Sequence, residues 1–107
     1  MTDAVLVEVV RTPVGKRNGS LAEVHPADLS AHVLEALVRC TGIDPALVDD
    51  VIWGCVNQVG EQTFDIATTA ALSTGWPESV PGTTVDRQCG SSQQAVHFAA
   101  AGVVAEY

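Results

Sequence analysis

The sequence predicts an α/β fold, a parallel or mixed sheet interleaved with helices. Three observations carry that expectation. Short β-branched runs alternate with longer stretches at helical spacing, giving the order strand, helix, strand, helix, strand, helix. The first of these runs, Ala4-Val5-Leu6-Val7-Glu8-Val9-Val10, is almost continuously apolar, as expected of a strand buried on both faces of a largely parallel sheet. Glycine and proline stand at most of the junctions.

In chain order, Arg11-Thr12-Pro13 ends the first run. The loop Val14 to Leu21 follows and, with Arg11, holds three of the five basic residues. Its glycine spacing fits neither a dinucleotide nor a P-loop fingerprint, so a solvated loop is favoured over an anion site. His25-Pro26-Ala27-Asp28 opens a helix, with proline at the first helical position and Asp28 complementing the dipole. Leu29, Val33 and Leu37, flanked by Leu34 and Val38, give it an apolar stripe, and Gly42 stops it. Asp44-Pro45 reads as a cap and first residue of one short turn. Val51 to Val56 is the second strand. Thr63 is expected to cap a second helix running to about Ser73, ended by Gly75 and Pro77. Thr83 to Val85 is the third strand, and Ala95 to Ala105 the last helix.

That helix has no formal charge, and His97 is its one polar side chain. A helix apolar all round must be covered all round, which three strands and two helices can hardly do. Residues 1–107 are therefore expected to form the incomplete front part of something larger.

Composition narrows the function. At 107 residues, with 47% apolar side chains, the chain is long enough for one globular domain. A net charge of −8 with only five Lys and Arg argues against nucleic acid and against an anionic membrane surface. No run is long and apolar enough to span a bilayer, and the amino terminus does not read as a secretion signal, so a cytoplasmic location is expected. Three widely spaced cysteines, Cys40, Cys55 and Cys89, indicate neither a disulfide framework nor a structural zinc site. No metal ligand set is expected, and Cys40 and Cys55 read as packing residues.

Cys89 stands at the joint between the third strand and the last helix, within Asp86-Arg87-Gln88-Cys89-Gly90-Ser91-Ser92. Unpaired N–H groups at a helix start favour a thiolate over a thiol, which makes a nucleophile. Gly90, Ser91 and Ser92 keep bulk away, so that a carbonyl carbon can approach while its oxygen points at the same N–H groups, an oxyanion hole in outline. The alternative is a small buried hydrophobe, the commoner use of a free cysteine.

A thiolate enzyme usually needs a histidine base. His97 lies eight positions on, about 12 Å along the helix axis, outside hydrogen-bond reach. His25 and His32 read as cap or surface residues of the first helix. The base is expected elsewhere. Cysteine phosphatases need an arginine six positions after the nucleophile, where this chain has Ala95. A cysteine protease stays open in principle, though nothing in these residues supplies its His and Asn partners.

These residues resemble the amino-terminal part of a thiolase, the acetyl-CoA acyltransferase family. The resemblance covers essentially the whole chain. It rests on Val10-Arg11-Thr12-Pro13-Val14-Gly15-Lys16 with Gly19-Ser20-Leu21, on Val51 to Val56, on Gly75-Trp76-Pro77, and above all on Thr84 to Ser92. Ser92 stands where the family commonly has glycine. The resemblance implies a thiolase-like layered αβαβα fold, of which this chain is the first part of the N-terminal half. It implies that Cys89 is the acyl-accepting nucleophile, with its own N–H an oxyanion donor. It also implies coenzyme A as substrate rather than cofactor, CoA thioesters as partners, and a homodimer or homotetramer joined around Thr83 to Val85. A histidine, a second cysteine and most CoA contacts belong to the carboxyl-terminal part of such proteins, so the 107 residues alone are expected to be inactive. Two alternatives stand beside this: a non-catalytic structural or dimerisation fragment, and a condensing ketoacyl synthase relative. Gly90 speaks against the synthase, in which serines usually follow the cysteine directly.

Overall fold

The computed structural model describes residues 2–107. Helix α1 spans Pro26–Thr41, a 3-10 turn spans Pro45–Leu47, and strand β1 spans Val51–Gly54. A second 3-10 turn, Gly60–Gln62, precedes helix α2, Ile66–Ser73. Strand β2, Gly82–Val85, leads into helix α3, Ser91–Ala105. The two strands pair in parallel, Val51 opposite Gly82 and Gly54 opposite Val85, so the expected parallel α/β arrangement is what forms. Parallel pairing needs a crossover, and α2 supplies it.

Local chemistry sets the ends of α1. His25 is its N-cap: its Nδ1 accepts the Ala27 N–H at 3.1 Å, and Pro26 takes the position where a missing N–H costs nothing. Gly42, at φ 70°, closes the other end by donating to the Val38 carbonyl. Asp44 caps the first 3-10 turn through the Ala46 N–H, as expected of Asp before Pro. The core is small: Leu34 of α1, Val51 of β1, Ala67, Ala70 and Ala71 of α2, and Val80, with Trp53 and Trp76 packed on it. The alanines let α2 lie close to the sheet and to α1.

Four expectations need correction. The first run, residues 4–10, is not a paired strand. It passes beside β1, sharing with it and with α1 a cavity of about 560 Å³ lined by Val5, Leu6, Val7, Val51, Trp53 and Trp76 among others. No backbone hydrogen bond joins them, and Val5, Leu6, Val7 and Val9 are 74–80% exposed. A segment apolar on both faces becomes a stable strand when layers cover both, and the described residues do not supply that cover.

Second, α1 buries Ala27, Ala31 and Leu34 most deeply, whereas the larger stripe of Leu29, Val33 and Leu37 is half-buried and lines cavities under residues 5–13. Third, Thr63 does not cap α2, which starts at Ile66. Thr63 ends the preceding turn and its hydroxyl donates to the Gly60 carbonyl. Asp65, in the left-handed region at φ 59°, is the residue before the helix. Its carboxylate accepts the Thr84 hydroxyl at 2.6 Å and the Thr68 hydroxyl at 2.7 Å, tying the start of α2 to β2. Fourth, α3 begins four residues earlier than its apolar run, at Ser91.

Helix α3 is otherwise the helix the sequence describes. Only Ser91 and Ala95 are buried, while Val96, Phe98, Val103 and Val104 are 42–52% exposed. The partial layer formed by β1 and β2 covers one side of it. No helix among the described residues is long and apolar enough to cross a membrane.

Candidate active site

The site is built where β2 hands over to α3. After Val85 the chain makes a tight turn from Arg87 to Gly90: the Gly90 N–H donates to the Arg87 carbonyl at 2.9 Å and also reaches the Gln88 carbonyl. Cys89 occupies the third position of this turn at φ 55°, where turns with positive φ usually place glycine. A side chain held there costs of order 1 kcal/mol or more and persists only if its surroundings enforce it.

Two side chains bond to the residues just before Cys89. The Asp86 carboxylate accepts the Gln88 N–H at 3.1 Å as well as both bonds of the Gln88 amide. The Ser91 hydroxyl oxygen accepts the Arg87 N–H at 2.9 Å.

The turn leaves Cys89 exposed, immediately before Gly90, the N-cap of α3. No side chain caps that helix. The N–H groups of Cys89, Ser91 and Ser92 donate to no protein acceptor among the described residues, so four neighbouring residues carry one free sulfur and three free donors. A polarised oxygen beside the sulfur has donors to meet.

Gly54, at the end of β1, seats the start of α3. A Cβ there would lie 2.3 Å from the Ser92 nitrogen and 2.5 Å from the Ser91 carbonyl carbon. Both are backbone atoms that cannot swing aside. A glycine inside a strand is a sequence signal for such close approach, but strand propensity alone does not say what approaches. Ser91 was legible only as a small residue near the cysteine; its role depends on the helix starting at Ser91 and on the turn folding back.

The other candidates disperse. Cys40 is exposed near the end of α1, so it is not the packing residue the sequence suggests. Cys55 lies just past β1, part-buried, with its sulfur 3.6 Å from the Asn57 carbonyl oxygen. His25 is engaged as a cap, and His32 is exposed on α1. His97 lies two turns into α3, beside a cleft of about 330 Å³ lined by Arg87, Gln88, Gly90, Gln93 and Gln94. Cys89 is thus a chain neighbour of unpaired backbone donors, while His25 caps the first helix and His32 lies on it. Among the described residues no three His, Cys, Asp or Glu side chains gather as a metal site would require.

An exposed cysteine thus stands on a tight turn between a strand and a helix, in a parallel α/β layer. Residues 4–106 match the family model "Thiolase, N-terminal domain", and the chain belongs to the thiolase family.

Among its relatives, "Steroid 3-ketoacyl-CoA thiolase FadA6" of Mycobacterium tuberculosis is 55% identical over 104 residues, which cover 97% of this chain and 26% of that protein. A "3-ketoacyl-CoA thiolase" of Erwinia tasmaniensis is 48% identical over 106 residues, 97% of this chain and 27% of its own length. The crystal structure of the Bacillus anthracis acetyl-CoA acetyltransferase superposes with a TM-score of 0.88 at 39% identity, covering 95% of this chain and 26% of that one. The chain therefore spans about a quarter of the length of these relatives, and its fold is that of the amino-terminal part of a thiolase.

Proposed function

We propose that this chain provides the nucleophile of an acyl-CoA thiolase. The Cys89 thiolate attacks the 3-keto carbon of a 3-oxoacyl-CoA and forms a C–S bond. The bond between C2 and C3 of the substrate breaks, and its electron pair leaves on C2, which takes up a proton to give acetyl-CoA. The thiol of a second CoA then loses its proton, attacks the acyl-cysteine, carries the shortened acyl group away and returns Cys89 as thiolate. Run backward, the same steps condense two thioesters. Coenzyme A is substrate throughout, and the steps require no further cofactor.

The observation that carries this reading is the placement of Cys89: solvent-exposed, held at positive φ just before α3, and beside N–H groups with no other acceptor. During attack the keto oxygen gains negative charge, which the unpaired N–H groups of Cys89, Ser91 and Ser92 stabilise in this reading. The Cys89 N–H is one such donor in this reading. The proton acceptor comes from residues outside this chain, since His25 is committed to α1 and His97 lies about two helical turns from the cysteine. Completion by further thiolase sequence and assembly as a homo-oligomer belong to the same reading. The uncovered apolar sides of α3 and of residues 4–10 support it. On its own the chain is then inactive.

Competitive alkylation tests it. In the intact protein carrying these residues, limiting iodoacetamide followed by peptide mapping is expected to label Cys89 well ahead of Cys40, although both are exposed. Prior incubation with a 3-oxoacyl-CoA is expected to protect Cys89 alone. Equal labelling of the two, with no protection, contradicts a nucleophilic Cys89.

A further inference from the structure

Ser91 is the one buried polar side chain that stands out among the described residues, 6% exposed although Cys89, two positions before it, is open to solvent. A buried hydroxyl needs a partner, and this one does not cap its own helix. Its oxygen reaches back out of α3 to accept the Arg87 N–H at 2.9 Å. Arg87 is thereby held at both ends: its carbonyl accepts the Gly90 N–H, and its N–H is taken by Ser91. The ring so closed contains Gln88, Cys89 and Gly90.

Without that second bond, Arg87 and Gln88 are tethered only through the turn itself and the exposed Asp86 carboxylate. Cys89 is then free to leave the left-handed region for the extended backbone a non-glycine residue favours. Such a change swings its sulfur away from the amino end of α3.

We propose that Ser91 is a positioning residue for Cys89, its hydroxyl latching the Arg87–Gly90 turn and so holding the sulfur beside the free N–H groups. This rests on Cys89 being the acyl-accepting nucleophile.

The test compares Ser91→Ala and Ser91→Thr in the intact protein, reading kcat and KM for thiolysis, the rate of Cys89 alkylation with peptide mapping, and the thermal midpoint. Ser91→Ala is expected to lower both kcat and the alkylation rate by about tenfold, the scale of one hydrogen bond's net contribution. KM stays within about twofold, because ground-state binding is untouched. Ser91→Thr, which keeps the hydroxyl, restores both rates. A merely structural serine moves the thermal midpoint and leaves the alkylation rate and kcat of the folded protein alone.

Wild-type rates in folded Ser91→Ala overturn the latch, as does an equal loss in Ser91→Thr. Should Ser91→Ala not fold, Ser91→Gly, which also removes the hydroxyl, takes its place: a wild-type alkylation rate refutes the latch, and a loss of about tenfold that Ser91→Thr does not share supports it. The outcome is separable from the nucleophile reading. Wild-type protein whose Cys89 takes no acyl group refutes that reading, whereas equal acylation of wild type and Ser91→Ala refutes only the role of Ser91.

Discussion

Replacing Cys89 with alanine is expected to abolish acyl transfer, lowering kcat by roughly 10⁴-fold or more, the scale of removing a covalent nucleophile from an otherwise intact site. The fold should survive it, because the side chain is exposed and lies outside the core. Cys89→Gly separates chemistry from strain. It is equally inactive, but glycine adopts φ 55° freely, so this variant should be more stable than Cys89→Ala by about 1 kcal/mol. Denaturant titration of the two inactive proteins checks it. If alanine proves the more stable, the turn is not under the strain its backbone angle implies.

Gly54→Ala is the second large effect, and it acts from a different element. The added methyl would sit 2.3 Å from the Ser92 nitrogen, well inside van der Waals contact, and the atoms it meets are backbone. Either β1 or the amino end of α3 must move. Overpacking of this kind costs about 1–3 kcal/mol. The functional cost is larger than the stability cost suggests, because the displaced helix start carries the N–H groups beside Cys89. A misplacement of about 1 Å at a reacting group lowers turnover about a hundredfold. Steady-state kinetics with a parallel thermal melt are the measurement. A folded Gly54→Ala protein with wild-type kcat would mean that β1 does not seat the nucleophile.

The fold class was legible because hydrophobic period and punctuation agree over most of the chain. His25-Pro26 and Gly42 bound α1 where capping chemistry says they should, and Asp44-Pro45 does the same for its short turn. Helix α3 was read four residues short because Ser91 to Gln94 carry no apolar period; they are helical through the carbonyl of Gly90, which accepts the Gln94 N–H. Thr63 and Asp65 are both plausible caps by residue type. Asp65 precedes the helix because its carboxylate has Thr68 and Thr84 to hold, and Thr84 lies 19 positions away, a pairing that only the folded sheet brings about.

Residues 4–10 taught the opposite lesson. Their composition demands burial on two faces, and local sequence cannot say whether the cover is present. At the site, Cys89 could be singled out from residue type and from its place between a strand and a helix. What holds it could not. Ser91 and Gly54 act through a returning turn and a backbone approach, neither of which leaves a periodic trace.

The most direct measurement is intact mass and peptide mapping of the protein carrying these residues after incubation with a 3-oxoacyl-CoA and no free CoA. The account predicts one acyl group in thioester linkage on the peptide containing Cys89, removed by adding CoA and absent from Cys89→Ala. An acyl group on Cys40 or Cys55 instead, or turnover with Cys89 never modified, would contradict it.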